Sequence, residues 1–208
     1  MAEAVLDAAG HGDHDPHVVV HKTNTGVSNN KLAMWVFLGS ECLLFGGLIS
    51  TYLLYRTNIQ DGPGPSEEFF DIPFTSASSF VLLMSSLTMV LAHSAAGRGD
   101  NRKLKIWLLT TALLGSVFVA GQIYEFTVFV REGLGWSTSP FSSAFYALTG
   151  FHGVHVTIGI LMLLSTYISA LRGRMNPGNA ETVEIVGLYW HFVDIVWVFI
   201  FTVIYLAA

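Results

Sequence analysis

The stretch from Ile185 to Leu206, IVGLYWHFVDIVWVFIFTVIYL, runs 22 residues with only two ionisable side chains, His191 and Asp194. Crossing the hydrocarbon core of a bilayer takes roughly 20 mostly apolar residues in helical form, so this stretch reads as a membrane span. Working outward, the same criterion gives Leu32–Tyr55, Phe74–Ala96, Ile106–Val130 and Ser142–Leu171. The five spans hold 124 of the 208 residues. Only helices and closed barrels satisfy every backbone group in lipid, and barrel strands alternate apolar with polar over about 10 residues. These runs are continuously apolar. The expected fold is therefore all-α, a polytopic integral membrane bundle of five transmembrane helices.

Composition agrees and excludes other classes. Apolar residues make up 52% and charged residues 12%, the latter about half the share usual in soluble domains, and the mean hydropathy is +0.54. Ten basic residues face 15 acidic ones, which argues against a nucleic-acid partner. The one cysteine, Cys42, excludes a disulfide framework and any Cys-rich zinc, iron–sulfur or dicopper site supplied by this chain alone. It reads as a small core residue.

Residues 1–30 form a polar tail and 31–208 the five-helix domain. The tail lacks a basic start followed by an apolar core, so it reads as a tail rather than a signal peptide. Its His11, His14, His17 and His21 read as solvated side chains, with weak metal binding as the alternative. Pro73 marks the start of the second span and Gly97 follows its last apolar residues. The fourth span, 30 residues long, reaches about 45 Å as a helix and must tilt or protrude from about 30 Å of hydrocarbon.

Basic residues set the orientation. Lys22, Lys31, Arg98, Arg102, Lys103, Lys105, Arg172 and Arg174 fall on one side; Arg56 and Arg131 fall on the other. The N-terminus is expected inside and the C-terminus outside.

Ionisable residues within spans are costly and raise a functional question. Here they are Glu41, Glu125, His152, His155, His191 and Asp194, with His93 near the inner end of span two. A rise of about 1.5 Å per residue puts Glu41 and Asp194 each about 14 Å into their spans, compatible with one shared layer. His152 with His155, and His191 with Asp194, are i, i+3 pairs that share a helix face. One reading is a metal or haem site with His152, His155, His191 and a carboxylate as ligands. The other is interhelical polar contact holding the bundle together, and it carries the expectation that no catalytic, cofactor or metal ligand is present. Asp194 beside His191 reads as a mutual pair that orients the imidazole. Glu41 faces a cavity or lipid cleft, or else hydrogen-bonds a neighbouring helix. A proton relay would need further acceptors, and span two offers only hydroxyls such as Thr75, Ser85, Ser86 and Thr88, besides His93.

Gly39, Gly46, Gly47, Gly115, Gly121, Gly150, Gly153 and Gly159 are expected where helices pack closely. Trp107, Trp136 and Tyr205 read as interfacial belt residues.

Two strings carry a resemblance: Gly150-Phe151-His152-Gly153-Val154-His155-Val156 and Tyr189-Trp190-His191-Phe192-Val193-Asp194-Ile195-Val196-Trp197. Both closely resemble the signatures of subunit III of the haem–copper oxidases, the cytochrome c oxidase family. Ser40-Glu41, Gly121-Gln122 and Tyr124-Glu125 agree in order, and the likeness runs from about Lys31 to Leu206. The chain departs from seven-helix members by having a polar tail where they carry two further helices, and so looks like the short five-helix bacterial form. In the long form those helices wall a V-shaped, lipid-filled cleft; here that wall is absent or supplied by another subunit.

The resemblance implies a subunit without redox centres, in a bacterial cytoplasmic membrane. Haems and copper belong to partner subunits I and II. Together the complex would reduce dioxygen to water with electrons from cytochrome c and pump protons. This chain would stabilise subunit I, bind phospholipid, and support proton uptake and oxygen access, with a respiratory supercomplex as a wider setting. Glu41 matches the family's carbodiimide-reactive carboxylate, and Arg172 and Arg174 fall near its basic lipid-headgroup ligands. Alternatives are subunit III of a quinol oxidase, an accessory protein of nitric oxide reductase, or an independent proton-coupled transporter. Transport predicts broken helices and repeated halves; no repeat is evident and no proline interrupts a span.

Overall fold

The computed structural model describes residues 26–57, 71–173 and 180–206. The helices are α1 (Asn29–Thr57), α2 (Ile72–Gly97), α3 (Asn101–Arg131), α4 (Pro140–Leu171) and α5 (Ala180–Phe201), the last continued by a π-helical turn, Thr202–Leu206. All five are long and apolar enough to cross a membrane, and the described residues contain no strand. All five helices begin before the spans expected for them. Hydropathy marks the hydrocarbon, whereas backbone hydrogen bonding continues into the polar boundary. Arg174 and the histidines of the tail lie outside the described residues.

Local chemistry fixes the helix ends. Asp71 accepts the Phe74 amide at 3.0 Å, with Pro73 in the first turn of α2. The residue that stops α2 is Gly99 rather than Gly97. Gly97 remains helical, whereas Gly99 takes φ +70°, and the amides of Gly99 and Asp100 return to Ala96 O and Ala95 O, both at 3.0 Å. Asp100 then caps α3 by accepting the Lys103 amide at 3.0 Å, which holds its carboxyl below the usual carboxylate range. So short a link forces α2 and α3 to lie antiparallel. Ser139 and Ser142 form a reciprocal capping box at the start of α4.

Cross-helix contacts give the directions. Thr75 meets Glu125 and Thr88 meets Thr111, so α2 and α3 are antiparallel. Phe129 meets Phe145 while Phe118 meets His152, so α3 and α4 are too. Trp190 meets Ser85 and Trp197 meets Ser79, which runs α5 against α2. Helices α2, α3, α4 and α5 close a ring, and α1 docks outside it on α4 and α5.

Two tryptophans of α5 fill the ring. Trp190 donates Nε1–H to Ser85 Oγ at 2.9 Å and Trp197 donates to Ser79 Oγ at 2.8 Å. The Trp190 ring lies between Gly115 of α3 and Gly159 of α4, where an added Cβ would come within 2.4 and 2.8 Å of it. These glycines permit close packing, as do Gly121 and Gly153. Gly39, Gly46, Gly47 and Gly150 meet nothing within 4 Å, contrary to expectation.

The seam of α1 explains the difference. Its buried residues are Leu38, Phe45 and Tyr52, and Met34, Glu41 and Leu48 complete a 4-3-4-3-4 spacing. That is a narrow a/d stripe, which leaves Gly39, Gly46 and Cys42 on the outside. Cys42 is therefore exposed rather than a core residue. Polar clasps line this seam. Lys31 pairs with Glu184 at 2.7 Å and Ser28 hydrogen-bonds Glu181 at one end. At the other end Arg56 Nη1 donates to Val203 O of the π-turn at 3.1 Å.

Candidate functional site

The middle clasp of α1 is the pair Glu41 and His155. His155 Nδ1 lies 2.7 Å from Phe151 O, one turn back on α4, and Nε2 lies 3.1 Å from Glu41 Oε2. A carbonyl only accepts, so Nδ1 carries a hydrogen. One proton then lies between Nε2 and Oε2, as imidazolium with carboxylate or as imidazole with carboxylic acid. Either form is neutral overall, which limits the cost of placing it in an apolar seam. The two side chains are 11% and 14% exposed, and Phe45 packs its edge against the His155 ring at 5.1 Å.

His152, three residues earlier, turns elsewhere. Its ring is fully buried, stacked on Trp197 at 4.9 Å and flanked by Phe118 and Phe45. Neither ring nitrogen has a hydrogen-bond partner, so its contacts to other helices are aromatic rather than polar. Three residues rotate a helix by about 60°. Because α4 is surrounded by α1, α3 and α5, that rotation turns the His152 ring toward Phe118 and Trp197 and the His155 ring toward Glu41, with Phe45 of α1 touching both. Replacing His152 with phenylalanine keeps the ring and removes two unpaired polar atoms, so the bundle should gain about 1–3 kcal/mol. Thermal unfolding in detergent checks this; a lowered midpoint contradicts it.

His191 and Asp194 do not form the direct pair expected of them. Instead His191 Nδ1 lies 3.3 Å from Ser86 Oγ on α2. Asp194 is buried and its Oδ1 has no partner. Glu41 with His155 bridges α1 to α4, and His191 with Ser86 bridges α5 to α2. Among the described residues no group of three or more His, Cys, Asp or Glu side chains converges on one point.

Glu125 accepts two hydrogen bonds at Oε1, from Thr75 Oγ1 at 2.7 Å and Tyr205 OH at 3.0 Å. Tyr205 is therefore a buried donor, 3% exposed, and not a belt residue. The π-turn carries it there: an i→i+5 turn rotates the helix end relative to a continued α-helix. Arg172 is exposed at the end of α4. The sequence reading missed Ser79, Ser85 and Ser86 as partners of buried rings. Their signal was the run of hydroxyls in an apolar span.

These features define a class: a multi-pass membrane protein whose buried polar groups join helix to helix. Comparison with known proteins gives the family. Residues 5–208 match the family described as Cytochrome c oxidase subunit III. The chain is 44% identical over 178 residues to cytochrome c oxidase subunit 3 of Bacillus sp. (strain PS3), covering 86% of each chain. It is 41% identical over 207 residues to the protein of that name from Alkalihalophilus pseudofirmus, covering 99% of this chain and 98% of the other. It is also 38% identical over 201 residues to quinol oxidase subunit 3 of Bacillus subtilis, covering 97% of each. The chain belongs to the cytochrome c oxidase subunit III family, and is thus subunit III of a multisubunit haem–copper terminal oxidase.

Proposed function

We propose that this chain is the non-redox third subunit of a proton-pumping oxidase that takes electrons from cytochrome c and reduces dioxygen to water. It stabilises subunit I, binds phospholipid, and supports proton uptake and oxygen access. The observation that carries the reading is the divergence of the histidines within the spans: His152, His155 and His191 turn to Trp197, Glu41 and Ser86 respectively. Side chains so placed hold helices together and hold protons, and redox chemistry falls to subunits I and II with their haems and copper.

Cytochrome c as donor is supported by the names of the relatives at 44% and 41% identity. The second reading, a quinol donor, is favoured by the match over 201 residues to a relative named for quinol. The basic residues support a bacterial cytoplasmic membrane location with the N-terminal tail inside, which puts Arg172 and Arg174 at the inner headgroups.

Purification of the native complex in mild detergent tests the reading. A haem-bearing large subunit should accompany the chain, and its absence would contradict the assignment. A dicopper signal in the accompanying subunit II supports cytochrome c as donor; a subunit II without it supports quinol.

A further inference from the structure

Helices α3 and α4 leave between them an open groove of about 310 Å³, to which α1, α2 and α5 contribute no lining residue. Gln122, Ile123 and Phe126 line it from α3, and Gly150, Gly153 and Thr157 from α4. Ile123 and Thr157 are exposed, the glycines and Phe126 are half-buried, and Gln122 is buried. The groove is therefore an uncovered face of the bundle with Gln122 at its floor. Small residues keep its α4 wall low. An added Cβ at Gly150 would meet nothing within 4 Å, so no contact within this chain accounts for a glycine there. Between membrane helices, small residues serve close backbone approach.

The second observation is the Gln122 amide. The residue is 6% exposed, yet its side chain has no hydrogen-bond partner among the described residues. Its Oε1 rests against Gly153, where an added Cβ would come within 3.1 Å of it. Gln122 stands nine residues before Arg131, the last residue of α3. That is about 14 Å along the helix, near the middle of about 30 Å of hydrocarbon. Headgroups do not reach that depth, and an amide left unpaired there is costly. Polar complementarity selects the occupant. An acyl chain would fill the groove and leave the amide unpaired. A helix carrying a hydroxyl, amide or imidazole side chain fills the groove and pairs the amide.

We infer that the α3–α4 groove is the seat of a transmembrane helix of the large haem-bearing subunit, which sets a polar side chain on the Gln122 amide and packs its backbone against Gly150 and Gly153. The seat deepens the reading above, in which this chain stabilises that subunit, and rests on it.

The test uses the purified complex in phospholipid vesicles. In a C42S background, I123C is labelled with a maleimide that carries a benzophenone, then irradiated. The adduct should join this chain to the haem-bearing subunit, identified by its peptides in mass spectrometry. An adduct with phospholipid alone, or with a second copy of this chain, overturns the seat. Gly150 and Gly39 form a matched pair, since an added Cβ at either meets nothing within 4 Å. On detergent dilution, G150F should lose this chain from the complex about tenfold more readily than wild type, whereas G39F should retain it. Q122L keeps the bulk and drops the amide, and should raise the loss about threefold to tenfold. Equal retention in G150F and G39F overturns the close approach, and wild-type retention in Q122L overturns the hydrogen bond. A wild-type preparation without a haem-bearing subunit overturns the oxidase reading and the seat with it. A wild-type complex in which I123C spares that subunit overturns the seat alone.

Discussion

Alanine in place of Gly115 should lower the unfolding free energy of the bundle by about 1–3 kcal/mol, and a larger residue by more. The new Cβ would stand 2.4 Å from one atom of the Trp190 ring and 2.8 Å from another. A flexible side chain would step aside at little cost, but Trp190 has nowhere to go. It is 1% exposed, Gly159 closes its other face, and its Nε1–H is engaged by Ser85. Moving the ring would forfeit that hydrogen bond, worth about 1 kcal/mol more. Thermal unfolding of the detergent-solubilised complex, with the yield of intact complex, measures the effect. A midpoint equal to wild type would contradict the role of Trp190 as a packing element.

The second large effect is expected at Glu41. Removing the carboxyl in E41A leaves His155 Nε2 facing an apolar seam with no partner, a loss of about 1–3 kcal/mol. Helix α1 touches the ring through one narrow stripe, and its other polar clasps, Lys31 with Glu184 and Arg56 with Val203 O, lie at its ends rather than beside Glu41. E41Q behaves differently. Its amide donates to a neutral Nε2, so α1 stays docked and the complex assembles, but the proton shared between Oε2 and Nε2 is gone. We expect normal assembly with weakened sustained turnover. Wild-type turnover of E41Q over many cycles would remove the proton role, and wild-type assembly of E41A would remove the clasp.

The legibility of this fold divides along a physical line. Hydropathy located all five helices because the bilayer selects for long apolar runs irrespective of what packs on them. The same selection hides which face packs. In water the buried side of a helix is its apolar side; in lipid both sides are apolar. The a/d seam of Met34, Leu38, Glu41, Phe45, Leu48 and Tyr52 is therefore present in the sequence as a spacing without a contrast. This is why Cys42 and Gly39 were expected inside and face outward. The ionisable groups were legible as important but not as pairs. Spacing gives the face of one helix, whereas Glu41 with His155, and His191 with Ser86, depend on which helix stands opposite. Tyr205 shows a further limit, because the π-turn that buries it has no proline or glycine to announce it.

The central claim is that this subunit sustains an oxidase whose redox centres lie in its partners. The most direct measurement is the turnover time course of the purified complex with and without this chain. The account predicts a similar initial rate in both, with the depleted complex losing activity over successive turnovers while the complete one persists. A depleted complex with no initial activity, or one that persists as long as the complete complex, would contradict it.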